Sequence, residues 1–195
     1  MRIGIFGGSF NPIHNGHLIT AAHVYDAFEL DIVHLVIANT PPHKDANALL
    51  AGEKRLEMAR LAVSGDDRFH VSDTEFRKNQ SPYTVDLLAT YRNDFPGDEL
   101  FLIIGADSLH NIRTWHRWQE LPKLADRIIV LGRPEFELDI LDAEISEMAV
   151  ESGCPLVDIS STMIRNMIEA GRNIRYFVPD RVREYIETNR LYRSI

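Results

Sequence analysis

Short apolar, β-branched runs alternate with segments of helical spacing along almost the whole chain, and this alternation restricts the fold more than any other feature. Residues 2–6, 32–38, 69–72, 99–104, 127–131 and 156–159 read as strands. Residues 16–28, 53–63, 83–91, 161–170 and 180–188 read as helices. The runs at 99–104 and 127–131 are nearly all apolar rather than alternating, the pattern of strands covered on both faces. Strands separated by helices pair in parallel through right-handed crossovers, so an α/β fold is expected, with a doubly wound, mainly parallel sheet and helices on both faces. In such sheets ligands collect beyond the carboxyl ends of the strands, where the strand order reverses. The loops after Phe6, Ala38, Ile104 and Ile159 are therefore the places to search.

With 195 residues, 45% hydrophobic and 26% charged, the chain has an ordinary globular composition and the length to bury its own core. No repeat, low-complexity segment or Pro/Gly/Ser-rich linker divides it, so residues 1–195 are expected to form one domain. The single cysteine, Cys154, has no internal disulfide partner. No apolar run approaches the roughly eighteen residues that span a bilayer. Met1-Arg2-Ile3-Gly4-Ile5-Phe6 lacks a basic-then-apolar secretion pattern, so a cytoplasmic location without a membrane partner is expected.

A net charge of −8 disfavours nucleic acid as a partner. The charge is unevenly spread. Residues 135–158 hold eight acids (Glu135, Glu137, Asp139, Asp142, Glu144, Glu147, Glu151, Asp158) and no Lys or Arg, which reads as a solvated helix face and loop. From Ser160 onward seven arginines stand against four acids, a surplus with no assignment unless some of those arginines face a phosphate.

The loop after the first strand reads Gly7-Gly8-Ser9-Phe10-Asn11-Pro12-Ile13-His14-Asn15-Gly16-His17. Gly7 and Gly8 allow close approach to a ligand and positive φ. The helix that follows offers unpaired N–H groups and a dipole that favour an anion. His14 and His17, three apart, project to one side of it, and imidazoles can donate to phosphate without a full-time charge. A third ligand at zinc spacing is not evident, so no metal site built from side chains is expected. Near the other end, Ser160, Ser161 and Thr162 supply hydroxyls at a helix start, and Arg165 follows one turn later with a fork suited to phosphate oxygens. The plainer reading of that second segment is an N-cap followed by a surface arginine.

The first of these segments resembles the G-x-F-x-P-x-H-x-G-H motif of the nucleotidylyltransferase superfamily, and Ile159-Ser160-Ser161-Thr162-Met163-Ile164-Arg165 resembles its Ser-Ser-Thr-x-Ile-Arg motif. Between them stand Asn39-Thr40-Pro41-Pro42-His43-Lys44, Ser81-Pro82-Tyr83-Thr84, and Ile103-Ile104-Gly105-Ala106-Asp107-Ser108-Leu109 followed by Trp115. These, with the closing Leu191-Tyr192, resemble the bacterial nicotinate mononucleotide adenylyltransferases over essentially the whole chain. The resemblance implies a Rossmann-like fold and an ATP-binding transferase of NAD (pyridine nucleotide) biosynthesis. Such an enzyme moves the adenylyl group of ATP to nicotinate mononucleotide, giving nicotinate adenine dinucleotide and pyrophosphate. Nicotinamide mononucleotide, another phosphate acceptor, or nucleotide sensing without turnover are the alternatives. Assembly into a homo-oligomer is left open.

The resemblance also implies roles. His14 and His17 would contact the ATP phosphates, with Arg165 and Ser161 on the β- and γ-phosphates and Thr162 also binding ATP. Gly7, Gly8, Phe10 and Gly105 would border adenine and ribose, and Ser9 would also bind ATP. Asp107 would take a ribose hydroxyl, or cap a helix beginning near Ser108. Lys44 would face the mononucleotide phosphate, and Asn39 would contact the mononucleotide. Tyr83 and Thr84 would contact the mononucleotide, Trp115 would stack on its pyridine ring, and backbone N–H groups of Thr84 and His116 would meet its carboxylate. Trp118 reads as packing. Mg²⁺ would arrive with ATP, held by phosphates and water. Two departures from the family pattern stand out: Asn11 replaces the usual Asp, and Pro82 follows Ser81 where the proline usually comes first.

Overall fold

The computed structural model describes residues 1–39, 49–77, 81, 83–132 and 143–193. Within them six strands form one sheet: β1 (Arg2–Gly8), β2 (Ile32–Ile37), β3 (Phe69–Ser72), β4 (Glu99–Gly105), β5 (Arg127–Leu131) and β6 (Ala149–Glu151). The spatial order is β3-β2-β1-β4-β5-β6, and every pair is parallel. The described helices are α1 (Asn15–Ala27), α2 (Gly52–Ala62), α3 (Thr84–Asp94), α4 (Ala106–His110), α5 (Leu121–Leu124), α6 (Ala143–Met148), α7 (Ser161–Glu169) and α8 (Asp180–Thr188). The chain builds outward from β1 to β3, then starts again on the other side of β1 with β4. The strand order thus reverses between β1 and β4, where Ile3 sits beside Ile32 on one flank and Leu100 on the other.

The period-2 alternation of a strand sends successive side chains to opposite faces, and both faces are apolar here. Val33, Leu35, Ile37, Phe101 and Ile103 pack beneath α1, α2, α7 and α8. Ile3, Ile5, Leu100, Leu102 and Ile104 pack beneath α3, α4, α5 and α6. Burying one such side chain contributes roughly 1.5–3 kcal/mol. Two cores on one sheet explain why β4 and β5 carry continuous apolar runs.

The last strand is not the expected one. Residues 156–159 pair with no strand: Leu156 is 58% exposed, and Ile159 N–H turns back onto the Val157 carbonyl at 2.9 Å. Ala149–Glu151 pairs with β5 instead, and Ser152 N–H continues the ladder to the Val130 carbonyl. Within the acidic stretch, α6 turns Ile145 and Met148 inward and leaves Glu144 and Glu147 exposed, the solvated face anticipated for it. Glu135, Glu137, Asp139 and Asp142 lie outside the described residues.

Candidate active site

A cavity of about 790 Å³ opens at the carboxyl ends of β1 and β4, where the strand order reverses. The loop after β1 (Ser9, Phe10, Asn11), the start of α1 (His14, His17), the β4–α4 junction (Gly105, Asp107) and the first turn of α7 (Ser161, Thr162, Arg165) form its walls. Two helix N-termini therefore meet over one space, and each leaves first-turn N–H groups without an intrahelical partner.

The first turn of α1 is closed by its two histidines. His17 N–H donates to His14 Nδ1 (3.4 Å), and His14 N–H donates to His17 Nδ1 (3.2 Å), a reciprocal capping box. The rings stack with centroids 3.5 Å apart, and Phe10 meets the His17 ring edge-on at 4.9 Å. A nitrogen that accepts a hydrogen bond cannot carry the proton, so in the neutral rings the proton sits on Nε2. Burial reinforces this at His14: desolvation lowers its pKa from 6.5 to about 4. The capping geometry gives a pair of uncharged imidazoles that carry their protons on Nε2 and line the cavity.

The first turn of α7 is tied to the first loop by side chains 149 and more residues away in sequence. Ser160 caps the helix by accepting from Met163 N–H, Ser161 Oγ donates to the Pro12 carbonyl (2.8 Å), and Arg165 donates to the Asn11 carbonyl (2.8 Å) and to Thr162 Oγ1 (3.2 Å). Tyr192 donates its hydroxyl to Asn11 Oδ1 (2.8 Å). The Asn11 amide oxygen accepts this bond with the same geometry open to a carboxylate oxygen. Asp107 is the carboxylate in the wall; its helix starts at Ala106 with Gly105 as N-cap, so Asp107 is in the first turn and caps nothing.

A second group of residues gathers around the N-terminus of α3. The Tyr83 ring stacks on His116 (4.4 Å, 30°), and Arg117 pairs with Asp86 at 3.0 Å. Trp115 is half-buried against the core on that face, as is Trp118. Thr84 is the first residue of α3.

Between the first and second strand loops lies a residue that motif reading passes over. Arg55 is fully buried, and its guanidinium donates to the carbonyls of Ser9 (2.8 Å), Ala38 (2.6 Å), Asn39 (2.9 Å) and Leu50 (2.8 Å). Asn39 N–H donates to Glu75 Oε2 (3.1 Å), and burial raises the Glu75 pKa to about 7. The signal in the sequence was positional: Gly52, Arg55, Leu56 and Ala59 form an i, i+3, i+4, i+7 stripe, and an arginine on a buried stripe needs acceptors.

Residues 5–167 match the family described as cytidylyltransferase-like. The chain belongs to that family. Among relatives, the probable nicotinate-nucleotide adenylyltransferase of Thermus thermophilus is 44% identical, covering 99% of this chain and 100% of the relative. The protein of the same designation from Geobacter sp. strain M21 is 40% identical, covering 98% of each chain. Among solved structures, Plasmodium falciparum nicotinic acid mononucleotide adenylyltransferase complexed with NaAD superposes with a TM-score of 0.77 at 21% identity, covering 98% of this chain and 97% of that one. That likeness places the cytidylyltransferase-like chain in the same fold.

The cavity of this cytidylyltransferase-like chain gathers Ser9, Phe10, His14, His17, Gly105, Asp107, Ser161, Thr162 and Arg165. It does not gather Gly7 and Gly8, which end β1 as strand residues; positive φ falls instead on Phe10, at 43°. Gly8 serves packing, because a Cβ there would stand 3.0 Å from the Phe10 ring. Asn39, Tyr83, Thr84, Trp115 and His116 lie off the cavity wall, and Lys44 and Pro82 lie outside the described residues. Among the described residues no three His, Cys, Asp or Glu side chains cluster as a metal site, and no helix is long and apolar enough to cross a membrane.

Proposed function

We propose that this chain transfers the adenylyl group of ATP to nicotinate mononucleotide, forming nicotinate adenine dinucleotide and releasing pyrophosphate. The observation that carries this reading is the meeting of two helix N-termini, Arg165 and the neutral His14–His17 pair over one cavity, in a chain 44% identical to a relative of that designation. The attacking atom is a phosphate oxygen, already an anion, so no side-chain base is needed; positioning and charge stabilisation are the tasks left to the protein. Arg165 and the first N–H groups of α7 would hold the β- and γ-phosphates, because Asn15 N–H and His17 N–H at the start of α1 are already given to the Phe177 carbonyl and to His14. The Ser161 hydroxyl proton is already given to Pro12, so its backbone N–H and that of Thr162 are the groups offered to phosphate. The Nε2–H donors of His14 and His17 would meet the charge that develops as the α-phosphate is attacked, an effect worth roughly 10²–10³ in rate per donor.

Ser9, Phe10, Gly105 and Asp107 would border the adenosine, with Asp107 accepting from a ribose hydroxyl. Thr84, Trp115 and His116, together with Tyr83 that stacks on His116, would form the pyridine end. Asn39 and Lys44 would lie toward the mononucleotide phosphate. Mg²⁺ fits as an ion held by the ATP phosphates and water, since Asp107 is the sole carboxylate among the described wall residues. Bound there, it would neutralise phosphate charge. The deciding experiment incubates the protein with ATP, Mg²⁺ and either nicotinate or nicotinamide mononucleotide and follows pyrophosphate. The nicotinate form is expected to be preferred in kcat/KM by at least about 10²-fold, because backbone donors aimed at a carboxylate stay unsatisfied by an amide. Equal turnover of both would remove the pyridine-end assignment, and no pyrophosphate from either would remove the function.

A further inference from the structure

The arginine surplus of the last third is only partly used by the cavity already described, which takes Arg165. A second cavity, of about 630 Å³, lies between the carboxyl end of α7 and α8 and shares no wall residue with the first. Its walls carry Arg172, Arg175, Arg183 and Arg193 against two acids, Glu169 and Glu187. Arg183 is held by Glu187 (3.0 Å) and Asp180 (3.4 Å). Among the described residues Arg172, Arg175 and Arg193 have no carboxylate partner. The wall thus holds four guanidinium groups against two carboxylates, a local surplus of positive charge in a chain whose net charge is −8.

The loop that carries two of them is fixed. Tyr176 holds φ at 72°, a backbone state that side-chain-bearing residues adopt rarely, and Asn15 anchors it there. Asn15 Nδ2 donates to the Tyr176 carbonyl (2.7 Å), and Asn15 N–H donates to the Phe177 carbonyl (2.9 Å). Arg172 N–H donates to the Met167 carbonyl (2.8 Å), and Arg175 N–H to Asn173 Oδ1 (2.8 Å). The Arg175 guanidinium lies over the Tyr176 ring at 5.3 Å, which restricts where its fork points. A loop tied in this way has little ordering entropy left to lose on binding.

We infer that this cavity is a second anion site that takes the di- or triphosphate group of a small polyanion. Phosphate is the class because guanidinium forks match its paired oxygens in bidentate fashion, and several forks around one space suit a chain of phosphates better than a single carboxylate. The group could be free or the tail of a nucleotide. This inference does not rest on the adenylyl-transfer reading, because binding is measured without turnover.

The test is calorimetric titration of the full chain with inorganic tripolyphosphate at low salt and without Mg²⁺. Four proteins are compared: wild type, Arg165→Gln, the double variant Arg172→Gln/Arg175→Gln, and the triple combination. Wild type should show two sites, Arg165→Gln should retain one, and the double variant should weaken that one at least about tenfold, the equivalent of losing one charge-assisted bond. The triple variant should lose both. Arg172 and Arg175 are exposed, so melting temperature should not move, and Arg193→Gln supplies an independent change at the same cavity. Pyrophosphate and ATP titrated into Arg165→Gln identify the source: equal binding means free phosphate chains, preference for ATP means a nucleotide tail. A single site in wild type that Arg165→Gln abolishes overturns the inference, as does a double variant with an unchanged isotherm.

Discussion

The imidazoles of His14 and His17 lie face to face, 22° from parallel, and each ring caps the other residue's backbone N–H through Nδ1. One interaction thus sets three properties of the candidate active site at once. It closes the first turn of α1, fixes both rings in place, and commits each proton to the nitrogen that remains, Nε2. Protonating either Nδ1 would break a cap, and protonating both rings would set two charges 3.5 Å apart.

The first expectation follows from that geometry. His14 should stay neutral down to about pH 4, while free histidine titrates near 6.5. Long-range ¹H–¹⁵N spectra of the histidine rings should show the Nε2–H form of His14 throughout pH 5–8; an imidazolium signal at pH 6 would contradict the capping scheme. Stability follows with a defined sign. His14 and His34, the second lowered by burial and by nearby His70, both bind protons more weakly folded than unfolded. Their contribution is intact above about pH 6.5 and is lost as pH falls toward 4. Glu75 acts the other way, stabilising below its unfolded value of 4.5 and losing that contribution as pH rises through about 7. Replacing Glu75 by Gln should therefore make the loss of stability between pH 7 and pH 5 steeper, as read by denaturant unfolding.

His17→Ala separates chemistry from capping. It removes one half of the capping box, so stability should fall by about 1 kcal/mol, the usual cost of losing such a cap. Single-turnover rate should fall much further, by roughly 10²-fold or more, because a donor to the developing charge acts mainly in the transition state. ATP affinity should change less, since Arg165 and the N-terminus of α7 remain. A destabilised mutant with full activity in its folded fraction would remove His17 from the chemistry.

The parts of this molecule that declare themselves in sequence are those whose cause is local. Continuous apolar runs mark β4 and β5 because both of their faces are covered. Thr162 and Arg165 stand about one turn apart because one helix start carries both. Long-range causes are invisible. Val150 joins the sheet from within an acidic stretch, whereas Leu156, in a more strand-like run, stays in solvent. Nothing near Asn11 announces that Tyr192, 181 residues later, donates to its side chain. The paired glycines invite a reading of positive φ, yet strand pairing to Ile37 keeps Gly8 extended and moves the strained position to Phe10.

Trp115→Ala tests the pyridine end. If the indole stacks on the mononucleotide, KM for that substrate should rise by the equivalent of about 1–3 kcal/mol, by analogy with base–aromatic stacking, while KM for ATP stays within about twofold. Because Trp115 is also half-buried against the α3 face of the core, melting temperature should drop as well. Trp115→Phe keeps a ring and most of that packing, so it should restore most of the KM. Equal movement of both KM values in the Ala variant would make Trp115 a packing residue alone.

Arg55 offers the sharpest contrast between two substitutions. Its guanidinium joins the carbonyls of Ser9, Ala38, Asn39 and Leu50, so one side chain spaces the loop after β1, which borders the cavity, from the loop after β2. Arg55→Met fills similar volume but leaves four carbonyls without this donor, and breaking a buried polar network of this kind costs roughly 3–5 kcal/mol. Arg55→Lys keeps the charge yet presents a single ammonium where a planar fork reached four acceptors, so it should recover only part of that stability. The kinetic consequence is the informative one. If Arg55 sets the separation of the two loops, the Lys variant should keep KM for ATP alone near wild type while kcat falls about tenfold or more, because misplacing reacting groups by an ångström acts on the bound complex. Binding of each substrate measured separately, beside the single-turnover rate, distinguishes the cases. A Lys variant that is less stable but turns over normally when folded would make Arg55 a structural clamp with no influence on how the two substrates meet.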